Sequence, residues 1–597
     1  DLDLGNDAMS RRKHWHQSNR HSASDWRMKA FRFGMVAFAS VISLKLFVLQ
    51  VLDHATYKAL ASGQHEIFKE LFPSRGDILI HDLKDDVLLP VATVQQVAFV
   101  YADPRKIEDA DRTAKALGKL FQFDDEKIDA LEERLKDRED PYEPIQRNVK
   151  DEALDQLIAL ELPGVFYLRE EGRLYPELGL GGHVVGFVGS GQDGALSGKY
   201  GVEGYFNEEL TGTPGFLRSE RDIAGRLIAL GDRSIEPAVD GSDVVLTLDR
   251  TIQYYACTKL HDAVAKHGAD GGSVVILEPQ TGKVLAMCGA PDFEPGAYHE
   301  VDSINTFNNP TIFSSYEPGS IFKTITIAAA LDTGAITPTT TFEDVGYVMV
   351  DGWPKPIGNA EGKVYGVADM TKALEESINT GMVFAMRQTG MDTFVEYVKN
   401  FGFGVRTGIE LETEVAANIS ALDFGQEVYA ATTSFGQGIT VTPLQMAAAY
   451  AAIANDGVLM RPYVVEDVVH PDGSRESRLP QEVRRVIQAK TARLLGAMLV
   501  SVVENGHGKK AGVPGYYIGG KTGTAQVADG SGYSSSKTIG SFAGFGPVSS
   551  PKFAMVVRID NPRDVQWAES TAAPLFGDIA QFLLQYFEVP PERPFND

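Results

Sequence analysis

Cysteine is nearly absent from this chain: Cys257 and Cys288 are the two in 597 residues, with no C-x-x-C pair and no histidine cluster beside them. That scarcity excludes a disulfide framework and a zinc site of the usual ligand spacing. One bridge is compatible with the sequence, but free cysteine packs as a small hydrophobe, so the expectation is two buried, unpaired core residues. Positive charge is also short. Lys and Arg number 56 against 81 Asp and Glu, a formal net charge of −25, which speaks against a nucleic-acid partner. Repeats and low-complexity tracts are missing, and 43% apolar content is that of ordinary globular cores. The length suits about three or four domains.

Long apolar runs are missing too, with one exception. Residues 33–52 carry a single charge, Lys45, and at about 1.5 Å per residue such a helix reaches roughly 30 Å, the thickness of a hydrocarbon core. Before it stand seven basic residues (Arg11, Arg12, Lys13, Arg20, Arg27, Lys29, Arg32) against four acidic ones (Asp1, Asp3, Asp7, Asp25), a local charge of +3. The preference of Lys and Arg for the cytoplasmic side puts residues 1–32 inside and everything after 52 outside. No A-x-A pattern comes after it, so the run reads as an uncleaved anchor.

Beyond the anchor, 53–71 have helical composition and read as a stalk, ended by Pro73-Ser74-Arg75-Gly76-Asp77. Residues 78–103 are strand-like and 104–160 have helical spacing. The glycine-dense stretch 179–215 leads to a boundary near 240, after which 273–278 and 283–288 read as a hairpin. An apolar helix over 320–332 comes next, then strands over 516–527, 541–547 and 552–559 and a helix over 574–587. Strands and helices segregated in this way predict an α+β multidomain chain, with helices flanking a largely antiparallel sheet.

Chemistry enters with three short strings in order: Ser320-Ile321-Phe322-Lys323, Ser377-Ile378-Asn379 and Lys521-Thr522-Gly523. Each alone is commonplace, as a helix start with a surface lysine or a pair of capping residues. Together they hold the parts of a serine acyl-transfer site. Ser320 comes after Glu317-Pro318-Gly319 and opens a helix, where converging N–H groups favour developing negative charge. Lys323 lies one turn on, on the same face. To act as a base it must be neutral, against an ordinary pKa of about 10.4; burial and a second cation, Lys521, would bring that about. Ser377 and Asn379 can relay a proton between Lys323 and a leaving amine while holding a substrate amide. Lys521, Thr522, Gly523 and Thr524 come after Gly519 and Gly520, which admit close approach of another backbone. A peptide can pair along that strand with its carboxylate on Lys521 or Thr522, and the N–H groups of Ser320 and Thr524 can form an oxyanion hole.

Other patterns cross the chain. Gly515 to Thr522 is a literal G-x-x-x-x-G-K-T phosphate loop, but Val513-Pro514 precede it and Gly523, Gly530 and Gly532 interrupt the residues beyond it, so strand and helix are missing where that motif needs them. Ser534 to Lys537 repeats Ser-x-x-Lys in a Ser/Gly-rich loop with no helix after it. Gly189 to Gly194 matches a dinucleotide loop without its helix or acidic partner.

With the triple, the anchor and their order, the chain resembles a class B penicillin-binding protein over nearly its whole length. Further segments carry the likeness: Lys45 to Val51, Arg75-Gly76-Asp77-Ile78, Arg173-Leu174-Tyr175-Pro176, Gly201-Val202-Glu203, Ser434-Phe435-Gly436-Gln437-Gly438 and Ser541-Phe542-Ala543-Gly544-Phe545. His81 to Asp86 depart from the family's usual Asp-Arg-Asn-Gly continuation. Glu317-Pro318-Gly319-Ser320 resembles the septal branch more than the elongation branch. The resemblance implies a serine β-lactamase-like transpeptidase domain over 241–597, an elongated pedestal over 53–240, the anchor at 33–52 and a cytoplasmic tail at 1–32, in the bacterial inner membrane with the bulk outside. It implies that a stem peptide ending D-Ala-D-Ala acylates Ser320, that a neighbouring stem-peptide amine then attacks, and that β-lactams block the same serine. It implies neither cofactor nor metal. The partners implied are peptidoglycan stem peptides, a membrane glycosyltransferase and other division proteins. Rival readings are an elongation-type transpeptidase, a β-lactamase or D,D-carboxypeptidase on the same fold, and a non-catalytic division scaffold or β-lactam sensor.

Overall fold

The computed structural model describes residues 22–47, 66–177, 179–190, 196–220, 233–351, 353–528 and 533–594. They fall into two compact units, residues 1–72 with 214–238, and residues 73–213 with 239–597.

The first unit holds the helix Ser22–Phe47 and an antiparallel sheet in the order Glu66–Leu71, Gly215–Glu220, Arg233–Glu236. Within the helix, the 20 residues Met28–Phe47 are long and apolar enough to cross a membrane. It contains 33–47 of the anchor expected at 33–52, and 48–52 lie outside the described residues. The expected stalk is corrected over its last part: Glu66–Leu71 is a strand, because its ladder partner, Gly215–Glu220, lies about 150 positions away and outweighs a helical composition.

In the second unit, one sheet runs in the order Arg475–Ser477, Val465–Val469, Asp243–Asp249, Ile78–Asp82, Val87–Ala102, Glu143–Val149, with Val165–Leu174 also paired to Val87–Ala102. Glu143–Val149 corrects the helical reading of 104–160; it pairs with Val87–Ala102 between the helices Asp125–Leu135 and Asp151–Ala159. Those helices and Ala110–Phe121 bury Leu117, Leu131, Leu135, Leu154 and Leu157 against Ala98, Val100 and Ala102. Within the glycine-dense stretch, the fully buried Glu203 takes ion pairs from Arg75 at 2.6 Å and Arg173 at 2.7 Å.

The second sheet is antiparallel throughout, in the order Val284–Ala290, Gly271–Leu277, Phe553–Asp560, Tyr533–Gly546, Gly519–Ala528. Its side chains alternate between two cores. Val274, Ile276, Phe542, Val557 and Ile559 pack with the helices Arg250–His267 and Ala572–Tyr586; Val275, Leu277, Ala543, Phe545 and Val556 pack on the side of Pro443–Ala454 and Lys323–Asp332. A sheet covered on both faces explains why these strands read as unbroken apolar runs. The expected α+β class with an antiparallel sheet and flanking helices is what the chain forms.

The cysteine expectation is half right. Both residues are buried, at 2% and 1% exposure, but Cys257 and Cys288 are joined in a disulfide. The helix Arg250–His267 crosses the strand Val284–Ala290 so that the two Cα atoms stand 5.2 Å apart, within bonding reach. A sequence separation of 31 carries no hint of that crossing.

Candidate active site

Ser320 lies in a 3-10 turn, Gly319–Phe322, and the α-helix proper begins at Lys323. The turn is clasped from two sides by glycines. Gly319 has φ +55 and donates its N–H to the Gly436 carbonyl at 3.0 Å. Gly436 itself has φ +82, and a Cβ there would stand 2.0 Å from the Gly319 oxygen. On the other side a Cβ on Gly523 would meet the Pro318 oxygen at 2.9 Å and Ser541 Oγ at 2.7 Å. Only glycine lets the edge strand Gly519–Ala528 and the 434–438 loop come this close to the serine.

From behind, the fully buried Tyr450 donates its hydroxyl to the Ile321 carbonyl at 2.8 Å and pairs with Thr324 Oγ1 at 2.7 Å. Thr326 Oγ1 donates to the Ser434 carbonyl at 2.7 Å. Neither Tyr450 nor Thr324 stands out in the sequence, where Tyr450 reads as one more apolar residue of an alanine-rich helix.

Lys323 has no exposed surface, and the three partners of its amine come from one short segment. Nζ donates to the Ser377 carbonyl, to Ser377 Oγ at 3.1 Å and to Asn379 Oδ1 at 2.7 Å. Ser377 adopts φ +58, an uncommon conformation for a residue with a side chain. It links the helix Met370–Glu375 to Asn379–Thr389 and turns both its oxygens toward the lysine.

Lys521 is likewise fully buried and donates to the Thr522 carbonyl at 3.1 Å. Among the described residues neither lysine forms an ion pair. Burial, with the charge of Lys521 added, pushes the Lys323 amine well below its ordinary range. Burial alone brings Lys521 down to about 7. Thr524 accepts at Oγ1 from the Ala568 N–H at 3.2 Å, and its carbonyl oxygen stands 3.2 Å from where a Gly319 Cβ would be. The structure thus gathers Ser320, Lys323, Ser377, Asn379, Lys521, Gly523 and Thr524 about one turn and one sheet edge. Thr522 is next to Lys521 and nearly buried, at 8% exposure.

The competing patterns do not acquire their contexts. Lys521 and Thr522 are inside a strand with no helix after it, and 533–546, including the second Ser-x-x-Lys, are strand as well, where the composition suggests a loop. Residues 191–194 of the dinucleotide-like string lie outside the described residues. Among the described residues no three His, Cys, Asp or Glu are grouped to hold a metal ion.

A serine turn beside a buried lysine, set against the edge strand of an antiparallel sheet, defines a class: serine acyl-transferases of the penicillin-interacting kind. Residues 272–581 match the penicillin-binding protein transpeptidase domain and residues 70–246 the penicillin-binding protein dimerisation domain. The chain is 32% identical to stage V sporulation protein D of Bacillus subtilis over 94% of its own length and 85% of that protein's. It is 27% identical to the peptidoglycan D,D-transpeptidase FtsI of Buchnera aphidicola, covering 95% of this chain and 96% of that one. A crystal structure of penicillin-binding protein 3 from Mycobacterium tuberculosis complexed with aztreonam superposes with TM-score 0.67 at 27% identity, covering 88% of this chain and 99% of that one. The chain belongs to the class B penicillin-binding proteins.

Proposed function

We propose that this protein cross-links peptidoglycan by acyl transfer through Ser320. The observation that carries the reading is the Lys323 amine, fully buried, without an ion pair among the described residues and aimed at Ser377 and Asn379 one turn from the serine. A lysine so placed is biased toward its neutral form and takes the Ser320 proton. Oγ then attacks the carbonyl of the penultimate D-Ala, the C–N bond breaks, and the terminal D-Ala leaves with a proton relayed through Ser377. An amine from a second stem peptide attacks the ester and frees the serine. The close contact of Gly319 with Thr524 supports an oxyanion hole from the Ser320 and Thr524 N–H groups. The free edge of Gly519–Ala528 supports strand-like docking of the stem peptide, with Lys521 and Thr522 at its carboxylate. β-Lactams acylate the same oxygen.

The septal role rests on Glu317-Pro318-Gly319-Ser320 and on the FtsI relative. Its partners are then a membrane glycosyltransferase and other division proteins, contacted through the anchor at 33–52 and the pedestal at 53–240, with 241–597 as the transpeptidase domain. The Cys257–Cys288 bridge supports an oxidising, extracytoplasmic compartment for that domain, and the basic flank supports a tail on the cytoplasmic side.

Labelled penicillin, with intact mass measurement and peptide mapping, tests the chemistry. A long-lived adduct on Ser320, absent from Ser320→Ala, is expected. An adduct elsewhere removes the reading, and rapid drug turnover favours the hydrolase. Depletion in the producing cell tests the role: filaments are expected, whereas a defect confined to sporulation would favour the role named for the Bacillus relative.

A further inference from the structure

Resting on the assignment of Ser320, Lys323 and Asn379 to acyl transfer, we propose that Asp344 and Asn359 are positioning residues for it. They form a buried carboxylate–amide bracket that sets where the Asn379 side chain and the start of its helix stand. Asp344 ends the strand Thr341–Asp344 and is 1% exposed. Its carboxylate accepts from the Gly346 N–H at 3.0 Å, the Tyr365 N–H at 2.8 Å and Thr380 Oγ1 at 2.7 Å, and both its oxygens accept from Asn359 Nδ2, at 3.0 and 2.9 Å. Burial works against the charge, yet this set of donors outweighs it and holds the carboxyl below its usual range.

Asn359 passes the constraint on. The helix Asn379–Thr389 has no capping side chain at its own N-cap position. In its place Asn359 Oδ1 accepts from the Asn379 N–H at 3.1 Å and the Thr380 N–H at 3.2 Å, from 20 residues upstream. The neighbouring Gly358 carbonyl accepts from Asn379 Nδ2 at 3.0 Å, while Asn379 Oδ1 faces Lys323 Nζ at 2.7 Å. Both ends of the Asn379 amide are therefore held, one by the lysine and one by the segment that Asp344 anchors. The neutral Asn359 links the carboxylate to the helix start, so the negative charge complements that end of the helix, and among the described residues Asp344 forms no ion pair with Lys323.

The test is the acylation rate by labelled penicillin as a function of pH, for the wild-type full chain and for Asn359→Ala, with thermal melts alongside. Loosening Asn379 misplaces a group at the reacting centre, so the maximal rate is expected to fall about 10- to 100-fold. Losing a well-placed acceptor destabilises protonated Lys323, so the acid limb, set by Lys323 and its neighbour Lys521, is expected to move to lower pH. A wild-type rate with a wild-type limb overturns the inference, and so does a rate loss whose limb stays in place, because that is mere destabilisation. Should Asn359→Ala fail to fold, Thr380→Val removes a single donor to Asp344 and is held to the same criteria, with a fall of about threefold expected for one lost hydrogen bond. If the wild-type chain itself takes no adduct on Ser320, the acyl-transfer reading fails and not the bracket.

Discussion

Lys323 and Lys521 are both without exposed surface, on different elements, and the charge of Lys521 is one of the two causes that depress the Lys323 amine. Removing that charge by Lys521→Met is expected to raise the pKa of Lys323, so the acid limb of penicillin acylation moves to higher pH while the maximal rate falls. The pH–rate profile of the two proteins checks this. An unmoved limb would mean that the two amines do not sense each other.

The same burial makes a stability prediction. Both lysines have folded-state pKa values below the unfolded value of about 10.4, so between the two the unfolded chain holds protons that the folded one does not. Stability therefore rises with pH from about 7, where Lys521 titrates, toward the unfolded value. Lys521→Met is expected to stabilise the fold at pH 7 by on the order of 2–5 kcal/mol and to gain much less near pH 10. Thermal melts at the two values decide it.

Gly436→Ala should be among the most damaging small substitutions, because φ +82 is combined with a Cβ 2.0 Å from the Gly319 oxygen. A cost of at least about 2 kcal/mol is expected, with acylation of Ser320 lost as its turn is pushed aside. Gly473→Ala is the control: φ is also +82, but nothing lies within 4 Å of the new Cβ. It should cost about 1 kcal/mol and leave acylation untouched.

Tyr450→Phe removes the hydroxyl that donates to the Ile321 carbonyl at 2.8 Å in a site without solvent. About 1–3 kcal/mol of stability should be lost, together with a slower acylation, because the carbonyl belongs to the serine turn. Denaturant unfolding and the penicillin rate, measured on one preparation, show whether the two effects go together.

Closing a loop across the separation of 31 between Cys257 and Cys288 is worth about 3–4 kcal/mol by chain entropy. The double substitution to Ala should lower the denaturation midpoint accordingly, and reductant should lower that of the wild type but not of the variant.

Much of the site was legible because it is local. Ser320 with Lys323, Ser377 with Asn379 and Lys521 with its glycines are each within four residues of one another, and short spacings on a helix, turn or strand translate directly into geometry. The remainder is carried by distant partners. Asp344 and Asn359 belong to no motif in the sequence, and Tyr450 sits in an apolar helix; each matters through a hydrogen bond to another segment, which no periodicity reports. The stalk reading of 66–71 and the helical reading over 143–149 failed for the same reason, since strand pairing is settled by a partner elsewhere in the chain.

By itself the sequence determined the chemistry available and its order: a serine, two lysines and an amide in a chain with one membrane-length apolar helix, folding as helices about an antiparallel sheet. Only the tertiary structure decided that the two lysines would both be buried with no ion pair among the described residues, that Gly436 and Gly523 would let two backbones clasp the serine turn, and that Cys257 would meet Cys288. These depend on desolvation and close packing, which exist only once distant segments have come together.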